Sequence, residues 1–442
     1  MIAKRSAAAM HLLEDLKASC HADRGPVSRS RPQEMSALKS GHIPHLLATE
    51  YASYRDDVVK ALSSVLADVQ TARSRPLVLY DPMAGTAPLL PLAECCGYTA
   101  HFNDLNSLHL YVNAAKTLRS YLAFKRMGAT TLLSMLCRMS AQLDRCPRIP
   151  TERWMDDATL RVLARAWHKC GEKSKPIAIL TKALLLLAVR DFSSRIGTKN
   201  PTWLKPGGLR PSISVREAFQ SAVNRLATFY EQTYVLHEVS KRGQVFLTDR
   251  DASRYTPKRQ VDVIVTSPPF CNRVDWDRLY APEHFFLDAV GVWHTRADFL
   301  GTTAVRDYDG FASDLVFATT RSSHVKRLLK KVKDRQIYAE RGSDYYVKYF
   351  TRYFSGLFRA FDVAASSLHS KTGEIYFVVQ DNRHRGLQID IGRALAQSLS
   401  CRGFHARVLR SWERHHLGMR NVSRRHRAVT PRQRESLWHA SR

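Results

Sequence analysis

The chain is short of negative charge: 40 Asp and Glu stand against 68 Lys and Arg in 442 residues, a formal charge of +28. An excess of this size goes beyond the needs of solubility. It points to a polyanionic partner, nucleic acid first and an anionic membrane surface second. Long apolar runs are missing as well. The nearest approach, Ile177 to Val189, is too short to span a bilayer and is interrupted by Lys182, so it reads as a core helix. The first twenty residues contain Glu14 and Asp15 and no clean apolar stretch, which argues against a secretory leader and leads us to expect a cytoplasmic chain. The eight cysteines, at 20, 95, 96, 137, 146, 170, 271 and 401, form no C-x-x-C pair and no Cys/His spacing of the zinc kind. Neither a metal site nor a disulfide framework is expected from them; reduced, buried thiols explain them best. Repeats and low-complexity tracts are also absent.

What is present is concentrated at strand ends. Val261 to Thr266 is rich in β-branched residues and reads as a buried strand, and it stops at Ser267-Pro268-Pro269-Phe270. Two prolines lock the backbone just past a strand end, where open α/β sheets place their chemistry. Such a loop suits an exocyclic base amine, a poor nucleophile because its lone pair is delocalised into the ring. Acceptors aimed at both N–H bonds would localise that pair, and the Pro268 carbonyl and Ser267 hydroxyl are of the right kind. Phe270 offers a flat face for a base taken out of a helix. An ordinary Ser-Pro-Pro turn is the plainer alternative.

A second strand-like run, Leu77 to Tyr80, leads into Asp81-Pro82-Met83-Ala84-Gly85-Thr86-Ala87 and then a helix. Gly85 marks a tight turn of the kind that lets backbone approach a nucleotide. The pattern departs from G-x-G-x-x-G, since Ala87 and Leu90 hold the later glycine positions, and it suits a cofactor without phosphates better than a pyrophosphate. A further strand from Thr99 ends at Asn103-Asp104, which puts Asp104 about where an acid takes ribose hydroxyls. Gln244 to Thr248 ends at Asp249.

The ordered set of strand–Gly, strand–Asp, strand–Asp and strand–SPPF resembles the S-adenosylmethionine-dependent amino-methyltransferases of DNA, which modify cytosine N4 or adenine N6. DPMAGTA stands for their D-P-F-x-G-S-G loop, with Met83 and Ala87 as departures, and TSPPF stands for their [DNS]-P-P-[YFW] loop in the form similar to N4-cytosine enzymes. The resemblance runs from about His42 to the end. It implies a class I methyltransferase-like α/β fold, doubly wound and mostly parallel with an antiparallel terminal strand, plus a helical insert. It also implies S-adenosylmethionine as cofactor without a metal. Asp81, Pro82 and Gly85 would serve the methionine portion, Asp104 the ribose and Asp249 the adenine, while Ser267, Pro268, Pro269 and Phe270 would carry catalysis. His42 to Tyr54 resembles the family's additional cofactor segment. Carbon-5 cytosine chemistry is not indicated, because no Pro-Cys dipeptide occurs; Cys271 instead follows Phe270.

Four regions follow: residues 1–40, a basic N-terminal segment; 41–118, the first part of the catalytic domain; 119–240, a mainly helical basic insert; and 241–442, the second part. From Lys116 to Arg210 there are 19 Lys+Arg against 6 Asp+Glu, with helices expected over Ala158 to Trp167 and Ile177 to Arg190. This insert is a candidate for target recognition or a solvated lid in equal measure. The basic stretch Ser322 to Arg335 reads as an exposed helix or a phosphate contact. Tyr345 to Leu368 reads as a helix with its aromatics in the core, Ile375 to Val379 as a strand whose end approaches the same cleft, and Ala406 to Trp412 with Glu435 to Trp438 as a closing antiparallel pair. Arg420, Arg424, Arg425 and Arg427, in the link of that pair, are candidate nucleic-acid contacts. The expected partner is double-stranded DNA with its target base flipped, together with a restriction endonuclease or defence-system partner and no membrane. The alternatives are N6 of adenine, a base amine of RNA, and an inactive nucleic-acid-binding protein of the same fold.

Overall fold

A computed structural model describes residues 56–139, 154–171, 173–193, 206–207, 214–235, 243–271, 279–292, 300, 308–334, 343–384, 387–414 and 433–442. The segment His42 to Tyr54 and residues Arg420, Arg424, Arg425 and Arg427 lie outside them.

Strand alternation builds a sheet buried on both sides. Leu79, Val263, Val265, Tyr376 and Val378 enter one apolar cluster, whereas their neighbours Tyr80, Ile264, Ile375, Phe377 and Val379 enter another. The strands are β1 (Val78–Asp81), β2 (Thr99–Asn103), β3 (Gln244–Thr248), β4 (Val263–Thr266), β5 (Glu374–Gln380), β8 (His405–Arg414) and β9 (Gln433–Ser441). A small separate hairpin pairs β6 (Asn382–His384) with β7 (Leu387–Ile389). The sheet order is β3-β2-β1-β4-β5-β9-β8. All pairs from β3 to β5 are parallel, and β9 runs antiparallel to both of its neighbours. This is the doubly wound, class I methyltransferase-like arrangement with its terminal antiparallel strand. The order reverses between β1 and β4, so the loops following these two strands flank the crevice where open α/β sheets bind ligands.

Helices α1 (Asp56–Thr71) and α2 (Leu90–Cys95) cover one face. The other is covered by α10 (Phe311–Arg321), α11 (Ser323–Asp334), α12 (Ser343–Ser366) and α13 (Ile391–Ser400). Between β2 and β3 the chain forms α3 (Ser107–Ala115), α4 (Leu118–Met127), α5 (Ala129–Met139), α6 (Asp157–Gly171), α7 (Lys175–Phe192) and α8 (Val215–Tyr230). These helices share an apolar cluster of their own, centred on α7, which is buried along most of its length. Helix α9 (Ala281–Ala289), downstream of the Pro-Pro loop, joins that cluster, and Arg190 of α7 grips Glu283 of α9 through two bonds of 2.6 and 2.9 Å. The insert is therefore packed onto the segment that leaves the Pro-Pro loop. No helix among the described residues is long and apolar enough to cross a membrane.

Candidate active site

The loop after β1 is held from two directions. Its glycine-like backbone is present even where glycine is not: Gly85 has φ 52° and Ala87 has φ 42°. A non-glycine residue in this region carries strain of about 1 to 2 kcal/mol, so the surroundings must enforce the turn. From β2, the Asp104 carboxylate accepts the Gly85 amide at 2.8 Å, and the Asn103 side chain donates to the Pro82 carbonyl at 3.0 Å. From the insert, Asn113 donates to the Gly85 carbonyl at 2.8 Å, and Lys116 donates to the Thr86 carbonyl. Asn103 is fully buried and also bonds the Arg250 amide, the Arg250 carbonyl and the Thr248 hydroxyl, so one side chain ties the ends of β1, β2 and β3 together.

Two ionisable groups beneath this loop are displaced in opposite directions. Burial pushes the Asp81 carboxyl up to about 7, against the lowering pull of the Thr266 hydroxyl and the Met83 amide. Burial also pulls the Lys116 ammonium down to about 7. At Asp104, burial works against the charge, but His109 and the amides of Asn106 and Gly85 outweigh it and hold the carboxyl below its ordinary value. Those three donors leave room on its two oxygens for one more.

The Pro-Pro loop leaves β4 with fewer ties. The Ser267 hydroxyl donates to the Val378 carbonyl of β5 at 3.1 Å, which leaves both of its lone pairs able to accept. Tyr353 of α12 donates to the Pro269 carbonyl at 2.6 Å. Proline contributes no N–H, so this clamp and the fixed φ values are what hold the turn. Among the described residues, nothing donates to the Pro268 carbonyl. Cys271 is packed in the core below, where burial pushes its thiol up.

Both loops open into one cavity of about 310 Å³, within the range of small-molecule sites. Pro82, Gly85, Asp104, Ser267, Pro268, Pro269 and Phe270 all line it. Asp81 does not; it is buried under the first loop. Nor does Asp249, whose carboxylate accepts the Ser107 hydroxyl at 3.0 Å; Asp251, Ala252 and Ser253 line the cavity in its place. The end of β5 at Gln380 to Asn382 stays outside, and Glu435 of β9 reaches the lining instead. The far wall comes from α10 and α12. Asp314 gathers the hydroxyls of Tyr308 and Ser355 and the Arg359 guanidinium, while the Arg352 guanidinium lies 5.5 Å from the Tyr308 ring centre. In all, the acids Asp104, Asp251, Asp314 and Glu435 and the arginines Arg352 and Arg359 line the cavity. Among the described residues, no group of three or more His, Cys, Asp or Glu gathers to hold a metal.

Sequence reasoning passed over Asn103, Asn113, Lys116, Tyr353 and Asp251. Asn103 and Asp251 stand one and two residues from aspartates that were singled out; Tyr353 was hidden in an aromatic run whose members are indeed buried.

Two solved structures of the rRNA methyltransferase aviRa from Streptomyces viridochromogenes are similar over 94% of this chain and 94% of theirs, at 11% and 12% identity and TM-scores of 0.27 and 0.26. An overlap that low carries no argument, and the fold rests on the strand order. No family model and no curated protein matches the chain.

Proposed function

We propose that the protein transfers a methyl group from S-adenosylmethionine to an exocyclic amine of a nucleic-acid base, N4 of cytosine in DNA. One observation carries this reading: the glycine-type loop and the Ser-Pro-Pro-Phe loop line a single cavity on either side of the point where strand order reverses. The residues present fit such a cofactor. Four carboxylates against two guanidiniums favour a cationic sulfonium. Asp104 keeps one acceptor position for a ribose hydroxyl. Asp251 and Ser253 line the cavity where Asp249 does not, and they would be the residues to meet the adenine.

When bound, the sulfonium supplies the methyl group. The chain's own residues would prepare the amine. Ser267, with its proton committed to Val378, and Pro268, with its carbonyl, would accept the two N–H bonds and draw the nitrogen lone pair out of the ring. Phe270 would stack the extruded base. Arg352, across the cavity, offers N–H donors to ring acceptors. Along the Watson–Crick edge beyond the amine, cytosine presents N3 and then O2, whereas adenine presents N1 and then a C–H, so a guanidinium reaching that edge would favour cytosine.

Incubation of the protein with plasmid DNA, total RNA and labelled S-adenosylmethionine, followed by nucleoside mass spectrometry, tests the reading. N4-methylcytosine in DNA is expected. N6-methyladenine, or label in RNA alone, would reassign the substrate; no label in either, with cofactor binding intact, would leave a nucleic-acid-binding protein without transferase activity.

A further inference from the structure

Helix α11, with the sequence SHVKRLLKKVKD, has two chemically separate faces. Val325, Leu328, Leu329 and Val332 are buried against α12 and α13. Lys326, Arg327, Lys330, Lys331 and Lys333 are all exposed, and Asp334 is the only acid of the helix. Among the described residues, no carboxylate pairs with these five cations.

The arrangement opposes the stability of the helix that carries it. Lys326 and Lys330, like Arg327 and Lys331, are like-charge neighbours four apart, each pair destabilising by roughly 0.2 to 0.5 kcal/mol. The helix dipole welcomes cations at the C-terminal turn, which accounts for Lys331 and Lys333 but not for Lys326 near the N-terminus. An external anion would reverse these penalties. The apolar side is already used inside the protein, so α11 is not a helix that can lie in a bilayer on its apolar face.

Its position relates it to the cavity. Ser322 and the His324 amide bond Gln397, late in α13, at 2.7 and 3.0 Å, while Asp390 and Arg393, at the start of α13, act electrostatically on His324. These contacts seat the first turn of α11 beside α13. Helix α12, on which it packs, lines that cavity from Arg352 to Ala360.

We infer that the outer face of α11 binds the sugar-phosphate backbone of the nucleic acid whose base enters the cavity. This rests on the proposed function for the identity of the polymer. A 12-residue helix extends about 18 Å, long enough to meet roughly two or three phosphates.

The test uses the full chain and the triple substitution K326Q, K330Q, K331Q, with anisotropy of a labelled 30-base-pair duplex measured across a salt series. The variant should bind about tenfold or more weakly and show a log–log salt slope shallower by about 2, since each phosphate contact contributes about 0.9. Its melting temperature should equal or slightly exceed that of the wild type, because two like-charge pairs are relieved, and its S-adenosylmethionine affinity should be unchanged. Equal affinity and slope in both proteins would overturn the inference. So would unchanged duplex binding with lost binding to phosphatidylserine vesicles, which would assign the face to a membrane. If the wild type methylates DNA and the variant binds as the wild type does, this inference alone fails. If the slope depends on α11 but no methyl is transferred, the chemistry fails and the surface stands.

Discussion

The two loops that share the cavity are built on opposite plans. The loop after β1 is bound by side chains from β2, α3 and Lys116 and holds a left-handed alanine in place. The loop after β4 relies on two prolines, one bond from Ser267 to β5 and one from Tyr353. A framework that must present backbone to a ligand is made by cross-bracing; a reactive turn that must keep its acceptors open is made by covalent stiffness and few partners. It follows that damage to the first loop should appear mainly as lost stability, and damage to the second mainly as lost turnover.

The largest effects belong to the braced loop. Asp81 is buried with its pKa raised from 3.8 to about 7, so the folded state holds a proton that the unfolded chain releases, and stability falls as pH rises through that window. Lys116 is lowered from 10.5 to about 7, so the unfolded chain binds the extra proton and stability rises with pH from about 7 to 10.5. Each limb amounts to a few kcal/mol, on the order of 1.36 kcal/mol per pH unit of displacement. Denaturant titrations from pH 4 to 10 should show D81N flattening the acid limb and K116M the alkaline one; limbs unaffected by either variant would detach these groups from the pH dependence.

Asn103→Ala comes next. It removes four hydrogen bonds, one of them buried and three part-buried, and should lower unfolding stability by roughly 3 kcal/mol. A melt within a degree or two of the wild type would mean that the three strand ends are not tied through this residue.

In the open loop, Ser267→Ala should slow single-turnover methylation about 100-fold, on the scale of losing one preorganised hydrogen-bonding group at a reacting centre, while the melting temperature stays put. Tyr353→Phe removes the clamp on Pro269 and should reduce turnover about tenfold through misplacement of the turn. Wild-type rates in both variants would make this loop a simple turn. The smallest effect sharpens the comparison from the other side: Ala87→Gly relieves φ strain but frees the unfolded chain, so its stability should change by less than about 1 kcal/mol. A large loss would mean that the Ala87 methyl group packs more than it strains.

Much of the framework was legible because local pattern and burial agree. The β-branched run before Ser267, the strand from Thr99 to Asn103, the helix over Ile177 to Arg190 and the closing antiparallel pair are encoded in period and composition, which a sheet covered on both faces and an insert with its own core preserve. Where chemistry sits within a few residues was less legible. Asp249 and Asp251 are indistinguishable as acids after a strand; only the path of the turn puts Asp251 on the cavity and turns Asp249 to Ser107.

Sequence by itself determined the strand order's raw material, the two loops and their proline and glycine chemistry, and the basic charge, because all of these reside in residue types and short spacings. Tertiary structure alone decided that Asn103, Asn113 and Lys116 brace one loop, that Tyr353 clamps the other, and that Arg352 and Asp314 form the facing wall. The bracing and clamping bonds span 21 to 84 residues along the chain, and only packing of α12 and the insert against the sheet brings these partners within hydrogen-bonding reach.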